Sequence, residues 1–249
     1  MKQFKSVFES EKEVLISYVM VGDGGFKASL DYARFLIESG VDILELGMPF
    51  SDPAADGGTI LRAGLRALEH GTKLEHVFEM AREIRRFSQI PLVIMSYLNP
   101  LYQYGFEKVC GQMKAHGIEG IIIPDLPFEA GENYRQMAEQ NEVKIINLVA
   151  LTTSESRLEQ IASASDGFIY LVAVKGITGT QVPDLEEVEQ MSKRIKQYTD
   201  TPVVAGFGIR TQEDVKAFNK EVDGVVIASR FIELREAGKV AEIKKIIGI

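Results

Sequence analysis

The sequence is poor in residues on which several protein classes depend. It contains one cysteine, Cys110, among 249 residues. A single cysteine excludes an intramolecular disulfide and is typical of a reducing compartment. The three histidines, His70, His76 and His116, fall in predicted helices or at their ends, so we expect surface positions for them. The sequence therefore predicts no metal site, because clustered histidine and carboxylate ligands are missing.

Positive charge and long apolar runs are also scarce. Lysine and arginine total 28 against 36 acidic residues, a net charge of −8, which argues against nucleic-acid binding. No apolar run reaches the roughly 18 residues of a membrane span. The charged segment 1–13 lacks the apolar centre of a secretory signal,. We therefore expect a cytoplasmic protein. The hydrophobic content of 45% is ordinary for a globular domain.

Eight short apolar runs alternate with amphipathic stretches of helix length. This alternation predicts βα units and a parallel sheet. We predict an α/β fold, a (β/α)8 TIM barrel with an extra N-terminal helix and additional helices after strands 2 and 8. No low-complexity linker interrupts the chain, so residues 1–249 are interpreted as a single domain, with an open doubly wound sheet as the alternative. The runs are 14–21, 41–46, 91–96, 118–123, 143–148, 167–172, 202–205 and 224–228.

Glu45 is the first candidate for chemistry, because it lies near the C-terminal end of the second run, where barrels carry their active groups,. Alternation in a strand puts Ile43 and Glu45 on one face, and Leu44 and Leu46 on the other. A carboxylate that loses its hydration there has a raised pKa and can exchange protons near neutrality. The alternative is a structural glutamate paired with a cation. No predicted strand offers one at its C-terminal end apart from Lys175, so the catalytic interpretation is favoured.

The loop 47–59 follows Glu45 and contains two aspartates, Asp52 and Asp56. Either could fold back over the barrel and form a two-carboxylate site with Glu45. Asp-Pro and Asp-Gly are also ordinary turn sequences, and Thr59 is a predicted helix N-cap. Spacing alone therefore favours a turn for both aspartates.

Three loops rich in glycine and small polar residues follow the last three runs, at 174–180, 205–209 and 228–230. Barrels often hold a phosphate with the loops after strands 7 and 8 and a helix N-terminus. Glycine lets backbone N–H groups approach the anion, and the helix dipole favours its charge. The three loops together predict a phosphate site.

The predicted strand ends lack residues that some classes of aldolase require, which limits the possible reaction mechanisms. A Schiff-base aldolase needs a strand-end lysine, whereas Lys144 stands near the start of the fifth run and Lys175 lies in a loop. With no metal site predicted either, acid–base catalysis by carboxylates on a phosphorylated substrate remains.

Several motifs resemble those of the tryptophan synthase α chain family. The most specific is the segment from Glu45 to Asp56, and the others fall in the family's order and spacing over nearly the whole chain. The resemblance implies a lyase of tryptophan biosynthesis that cleaves indole-3-glycerol phosphate to indole and glyceraldehyde 3-phosphate. The further motifs are Asn99-Pro100, 124–129, Tyr170 followed by 176–179, and 206–209.

The same resemblance implies roles for individual residues and reverses the interpretation of Asp56 as a turn residue. Glu45 would protonate C3 of the indole and deprotonate the glycerol hydroxyl. Asp56 would accept a hydrogen bond from the indole N–H and stabilise positive charge on the ring. The family usually has glycine where this chain has Ala228, and we expect the neighbouring Arg230 to point into solvent. Besides Glu45 and Asp56, the resemblance implies that the substrate is bound by Tyr18, Tyr170, Thr178, Gly179, Phe207, Gly208, Ala228 and Ser229.

The family forms an αββα assembly with a β chain that carries pyridoxal phosphate, so the resemblance implies that cofactor in the partner and none in this chain. The segments 48–50 and 99–104 are candidate contacts. Two other functions stay open: a non-catalytic barrel that regulates a β chain, and another phosphate-binding isomerase or synthase. Glu45 and Asp56 argue against the first. The second would need strand-end lysines or a Cys–Asp pair, and neither is present.

Overall fold

A computed structural model describes residues 4–10, 13–173, 184–206 and 208–249 of the chain. Its strands form one sheet in which every pairing is parallel. The predicted runs and the observed strands agree in position along the described ranges. The strands are β1 (Val14–Met20), β2 (Ile43–Gly47), β3 (Leu92–Met95), β4 (Gly120–Ile122), β5 (Lys144–Ile145), β6 (Leu148–Ala150), β7 (Ile169–Val172), β8 (Val203–Gly206) and β9 (Gly224–Ile227).

The fifth predicted strand is divided into β5 and β6, which lie at the two edges of the sheet. The division occurs where the chain changes its hydrogen-bonding partner. The Ile146 N–H donates to the Ile121 carbonyl at 2.9 Å, on the β4 side, whereas the Asn147 carbonyl accepts from Tyr170 N–H at 2.9 Å, on the β7 side. One continuous segment therefore joins both edges, and the sheet closes as a TIM-barrel-like fold.

Helices follow the strands as the βα pattern predicts, and the expected extra helices are present before β1, after β2 and after β9. A further pair, α5 and α6, follows β3, where we expected a single helix. Thr59, the predicted N-cap, lies inside α3, which begins one residue earlier. The helices are α1 (Phe4–Phe8), α2 (Phe26–Glu38), α3 (Gly58–Glu69), α4 (Leu74–Arg85), α5 (Leu98–Tyr104), α6 (Phe106–His116), α7 (Glu132–Gln140), α8 (Glu155–Ser163), α9 (Leu185–Ile195), α10 (Gln212–Phe218), α11 (Ser229–Glu236) and α12 (Val240–Ile247), with a short 3-10 helix at Phe128–Ala130.

Alternation along the strands divides the core into two layers. Side chains on the outer face pack under the helices, as Leu44 and Leu46 do. Side chains on the inner face fill the barrel lumen, Ile43 among them. At the N-terminal pole α1 seals the lumen, because Phe4 packs edge-on against Phe168 with ring centroids 5.4 Å apart. The N-terminal pole is therefore closed by apolar side chains. Among the described helices, none is long and apolar enough to cross a membrane.

Candidate active site

Glu45 lies in β2, two residues beyond the lumen-facing Ile43, so its side chain belongs to the inner face of the barrel,. Only 1% of the residue is exposed. Its Oε1 atom has no hydrogen-bond partner within the described part of the chain. Burial raises the pKa of this carboxyl to about 8, because the charged form would lose its hydration. Glu45 therefore shares the inner face with Ile43, as the alternation predicted, in surroundings that favour its neutral form.

Two tyrosines line the same space as Glu45. Tyr18 stands opposite Glu45 in the register of β1 and β2, and Tyr170 lies on β7 within the lumen cluster. Burial raises the pKa of both hydroxyls, and the negative charge of Glu45 raises it further for each. Since that effect requires proximity, the structure brings together Glu45, Tyr18 and Tyr170.

Both tyrosine rings occupy space that two strand-end glycines leave open. A Cβ atom on Gly47 would lie 1.8 Å from the Tyr18 hydroxyl oxygen, and one on Gly206 would lie 2.2 Å from that of Tyr170. Gly206 belongs to one of the three loops for which we predicted phosphate binding. The structure places it within β8, where its missing side chain admits the ring of Tyr170.

Asp56 lies in the loop between β2 and α3, and the structure folds this loop back over the barrel mouth. Burial raises the pKa of the Asp56 carboxyl, while a hydrogen bond from the Tyr97 hydroxyl opposes the rise. The Asp56 charge also raises the pKa of Tyr18, so Asp56 faces the space that Tyr18 borders. Asp52 instead is exposed and accepts a hydrogen bond from the Ser51 hydroxyl, which leaves it outside this constellation.

Tyr97 is a member of the site that sequence analysis missed. Its hydroxyl donates to Asp56 and accepts from the Ala55 N–H at 2.9 Å. Its ring packs against Phe50 with centroids 5.4 Å apart. Tyr97 therefore holds the loop that carries Asp56 at two points. Tyr97 could have been predicted as a site residue, because it follows the C-terminal end of β3. A position near the C-terminal end of a strand is also what made Glu45 a candidate.

The predicted phosphate end is only partly described. Thr178, Gly179 and Phe207 lie outside the described residues. Gly208, Ala228 and Ser229 are half-buried near the C-terminal ends of β8 and β9. Ser229 begins α11, and the first N–H groups of a helix have no acceptor within it. Those groups, with the positive end of the helix dipole, suit an anion.

Two residues near the phosphate end depart from the family pattern or from our expectation. Ala228 adopts a φ of −112°, a negative value that does not require glycine, so its backbone fits this position. We expected Arg230 to point into solvent, but its guanidinium lies 3.6 Å from Glu233 and 3.9 Å from Glu242 with 28% of the side chain exposed.

Other reactive side chains of the described residues stay away from the lumen. Cys110 is buried in α6, and burial raises the pKa of its thiol to about 11, which keeps it unreactive. In these ranges no three His, Cys, Asp or Glu side chains are grouped so as to hold a metal ion.

Comparisons with known proteins show which family this chain resembles in sequence and fold. The family model described as tryptophan synthase alpha chain matches residues 4–246. The tryptophan synthase alpha chain of Bacillus cereus (strain B4264) is 43% identical over 246 residues, covering 99% of this chain and 95% of that protein. Mycobacterium tuberculosis tryptophan synthase has a chain of TM-score 0.92 and 28% identity, with 99% and 96% of the two chains covered.

A third relative is known as part of an assembly. A chain of the tryptophan synthase α2β2 complex from Pyrococcus furiosus has a TM-score of 0.85 and 32% identity, over 95% of this chain and 98% of that one. The sequence resemblance is thereby confirmed along nearly the full length, together with the barrel fold. This chain belongs to the tryptophan synthase alpha chain family, a family of lyases.

Proposed function

We propose that this chain cleaves indole-3-glycerol phosphate to indole and glyceraldehyde 3-phosphate, with Glu45 transferring the protons. The observation that carries the proposal is the environment of Glu45. Its side chain is almost fully buried at the inner face of the barrel, one of its oxygens has no hydrogen-bond partner among the described residues, and burial raises its pKa to about 8. A pKa near the working pH suits a group that must both give and take a proton.

Glu45 begins the reaction as the neutral acid. It donates its proton to C3 of the indole, which turns the ring into a cationic indolenine. The resulting carboxylate then takes the proton of the hydroxyl on the carbon bonded to C3. The C–C bond breaks, its electron pair returns to the ring, and the hydroxyl carbon becomes the aldehyde. Glu45 finishes protonated, so no net proton is consumed.

Asp56 stabilises the charge that appears on the ring. Its carboxylate would accept a hydrogen bond from the indole N–H, and that bond strengthens as the ring becomes cationic. The hydroxyl of Tyr97 supports this role, because its hydrogen bond favours the charged form of Asp56. The cationic ring serves as the electron sink, a task that a lysine Schiff base performs in other aldolases.

The remaining residues would orient the substrate between two fixed ends. Tyr18 and Tyr170 flank Glu45 and would enclose the indole and the glycerol chain. Backbone N–H groups of Gly208, Ala228 and Ser229, with the Ser229 hydroxyl, would bind the phosphate. Anchoring the phosphate positions the reacting carbon at the Glu45 carboxyl, which lowers the entropic part of the barrier. Thr178, Gly179 and Phe207 complete the proposed set.

A β chain is the proposed partner, in the α2β2 arrangement of the Pyrococcus furiosus relative. Phe50 lies in the same loop as Asp56, and Tyr97, which precedes helix α5, contacts this loop. Tyr102 on α5 is 66% exposed. A partner that covers this face could alter the loop that carries Asp56. Pyridoxal phosphate would belong to that partner and no cofactor to this chain. We also propose a cytoplasmic location.

The proposal is tested with the Glu45→Gln variant and indole-3-glycerol phosphate, following glyceraldehyde 3-phosphate release. We expect turnover to fall about a thousandfold or more, because general acid–base groups contribute about 10² to 10⁴ each and Glu45 serves twice. Glu119→Gln is the matched control: Glu119 also has a pKa raised by burial, but it accepts from Phe4 N–H at the opposite pole. Its variant should retain turnover.

Each outcome separates the candidate functions. Wild-type activity in Glu45→Gln would remove Glu45 from its role. No cleavage by the wild-type chain, alone or with a β chain, would favour the non-catalytic regulatory barrel. An isomerised or ring-closed product in place of glyceraldehyde 3-phosphate would favour another phosphate-binding barrel enzyme.

A further inference from the structure

Asp23 is a charged residue of the barrel mouth that the proposed chemistry does not use. It lies in the loop between β1 and α2, and only 5% of its side chain is exposed. A buried carboxylate destabilises the folded state unless charged partners compensate for its lost hydration. The local structure therefore depends on what surrounds Asp23.

Two arginines from two different helices surround this carboxylate. Arg66 of α3 forms a bidentate pair, with Nε 2.6 Å from Oδ1 and Nη2 3.0 Å from Oδ2. Arg235 of α11 approaches from another direction, with Nη1 3.1 Å from Oδ2 and Nη2 2.9 Å from the Asp23 carbonyl oxygen. Asp23 is thus the shared acceptor of α3 and α11.

The two helices joined by Asp23 carry opposite ends of the proposed substrate site. Helix α3 begins two residues after Asp56, and α11 begins at Ser229. A second contact joins the same two helices, since Glu236 of α11 accepts a hydrogen bond from Arg66 of α3 at 2.7 Å. A shift of α3 against α11 would therefore change the distance between the indole-binding carboxylate and the phosphate-binding N-terminus.

We infer that Asp23 is a positioning residue that sets the distance between the Asp56 end and the Ser229 end of the site. This inference rests on the proposed function, since it needs a ligand that spans both ends. Such a ligand has a fixed separation between its indole and its phosphate. An error of about 1 Å in that separation can reduce the rate about a hundredfold. A ligand that occupies the phosphate end alone is indifferent to it.

The test compares two ligands by calorimetry on the isolated chain. Glycerol 3-phosphate occupies the phosphate end, whereas an indole joined to phosphate by a three-carbon chain spans both ends. In Asp23→Asn we expect affinity for the spanning ligand to fall about tenfold or more, together with kcat for indole-3-glycerol phosphate. Affinity for glycerol 3-phosphate should stay within about twofold, because the N–H groups of α11 remain in place.

Asp166→Asn is the matched control. Asp166 pairs with Lys144 at 2.9 Å, near the N-terminal ends of β5 and β7, and its variant should leave both affinities unchanged. If Asp23→Asn does not fold, Arg235→Gln removes one of the two arginines and keeps the Arg66 pair. That variant should lose affinity for the spanning ligand by about threefold, again with glycerol 3-phosphate binding retained.

The outcomes distinguish positioning from simple stabilisation. A folded Asp23→Asn protein with a lowered melting temperature and unchanged affinity for both ligands would overturn the inference. Equal losses for both ligands would also overturn it, since they indicate damage to the phosphate end. If the wild-type chain neither bound the spanning ligand nor cleaved the substrate, the proposed function would fail and this inference with it.

Discussion

The two poles of the barrel lumen contrast in what they bury. At the N-terminal pole, Phe4 and Phe168 are fully buried and pack edge to face, an arrangement that favours folding. At the C-terminal pole the buried group is Glu45, a carboxyl whose Oε1 has no hydrogen-bond partner in the part of the chain that the structure describes. Burying such a group disfavours folding. The apolar end of the lumen therefore increases the free energy of unfolding, whereas burial of a reactive acid at the other end decreases it.

The largest expected effect comes from a substitution at the apolar N-terminal pole. Phe168→Ala should lower the free energy of unfolding by about 3 to 5 kcal/mol, because it removes a fully buried ring and leaves a cavity. Turnover per folded molecule should stay near wild type, since Phe168 packs against Phe4 at the N-terminal pole, opposite the pole that carries Glu45. Denaturant unfolding and active-site-normalised kcat measure the two quantities. A large loss of kcat in the folded fraction would show that catalysis at the C-terminal pole also depends on packing at the N-terminal pole.

The second prediction concerns pH and the cost of burying Glu45. Its pKa is raised from 4.5 to about 8, so the folded state holds the proton more tightly than the unfolded state. Stability from this group is therefore complete below about pH 4.5 and is lost at about 1.4 kcal/mol per unit as pH rises towards 8. Glu45→Gln should match wild type at pH 4.5.

At pH 7 the same variant should exceed wild type by about 3 kcal/mol, because glutamine has no charge to desolvate. Chemical denaturation of both proteins across this pH range measures the difference. Parallel curves for the two proteins would contradict the contrast between the poles.

A smaller effect is expected at the barrel mouth from Asp56→Asn. The amide can no longer stabilise a cationic ring as the carboxylate does, so kcat should fall about a hundredfold. Binding of a substrate analogue should be retained, because phosphate and ring contacts remain. Asp52→Asn is the control in the same loop, since Asp52 is exposed. An unchanged kcat in Asp56→Asn would contradict the role of Asp56.

The smallest effect is predicted for Tyr97→Phe, which keeps the ring and removes the hydrogen bond to Asp56. Loss of that bond raises the pKa of Asp56 further, so the acid limb of kcat/KM should move to higher pH, with a loss of about fivefold to tenfold on that limb. Tyr102→Phe on α5, where the ring is 66% exposed, is the control. Superimposable pH profiles for wild type and Tyr97→Phe would leave Tyr97 a packing residue only.

Sequence patterns predicted the features that depend on local alternation. Apolar runs located the strands, and a two-residue period placed Ile43 and Glu45 on the inner face. The division of the fifth strand was not predictable, because it depends on which neighbours Ile146 and Asn147 meet. Hydrogen-bond partners from distant segments leave no mark on apolar content.

The site shows the same limit. Spacing alone assigned Asp56 to a turn, and only the family resemblance reversed that interpretation. Its environment is set by Tyr97, a residue more than forty positions away whose hydroxyl reaches the loop through tertiary packing. The space for Tyr18 and Tyr170 depends on Gly47 and Gly206, which in sequence resemble ordinary turn glycines.

The protonation state of Glu45 can be measured directly by infrared spectroscopy. A difference spectrum between wild type and Glu45→Gln isolates the C=O band of the protonated carboxyl, and its intensity is followed from pH 5 to pH 9.5. We expect the band to persist at neutral pH and to titrate near pH 8 in the ligand-free chain. Loss of the band near pH 4.5 would show an ionised, solvated carboxylate and contradict the buried neutral acid.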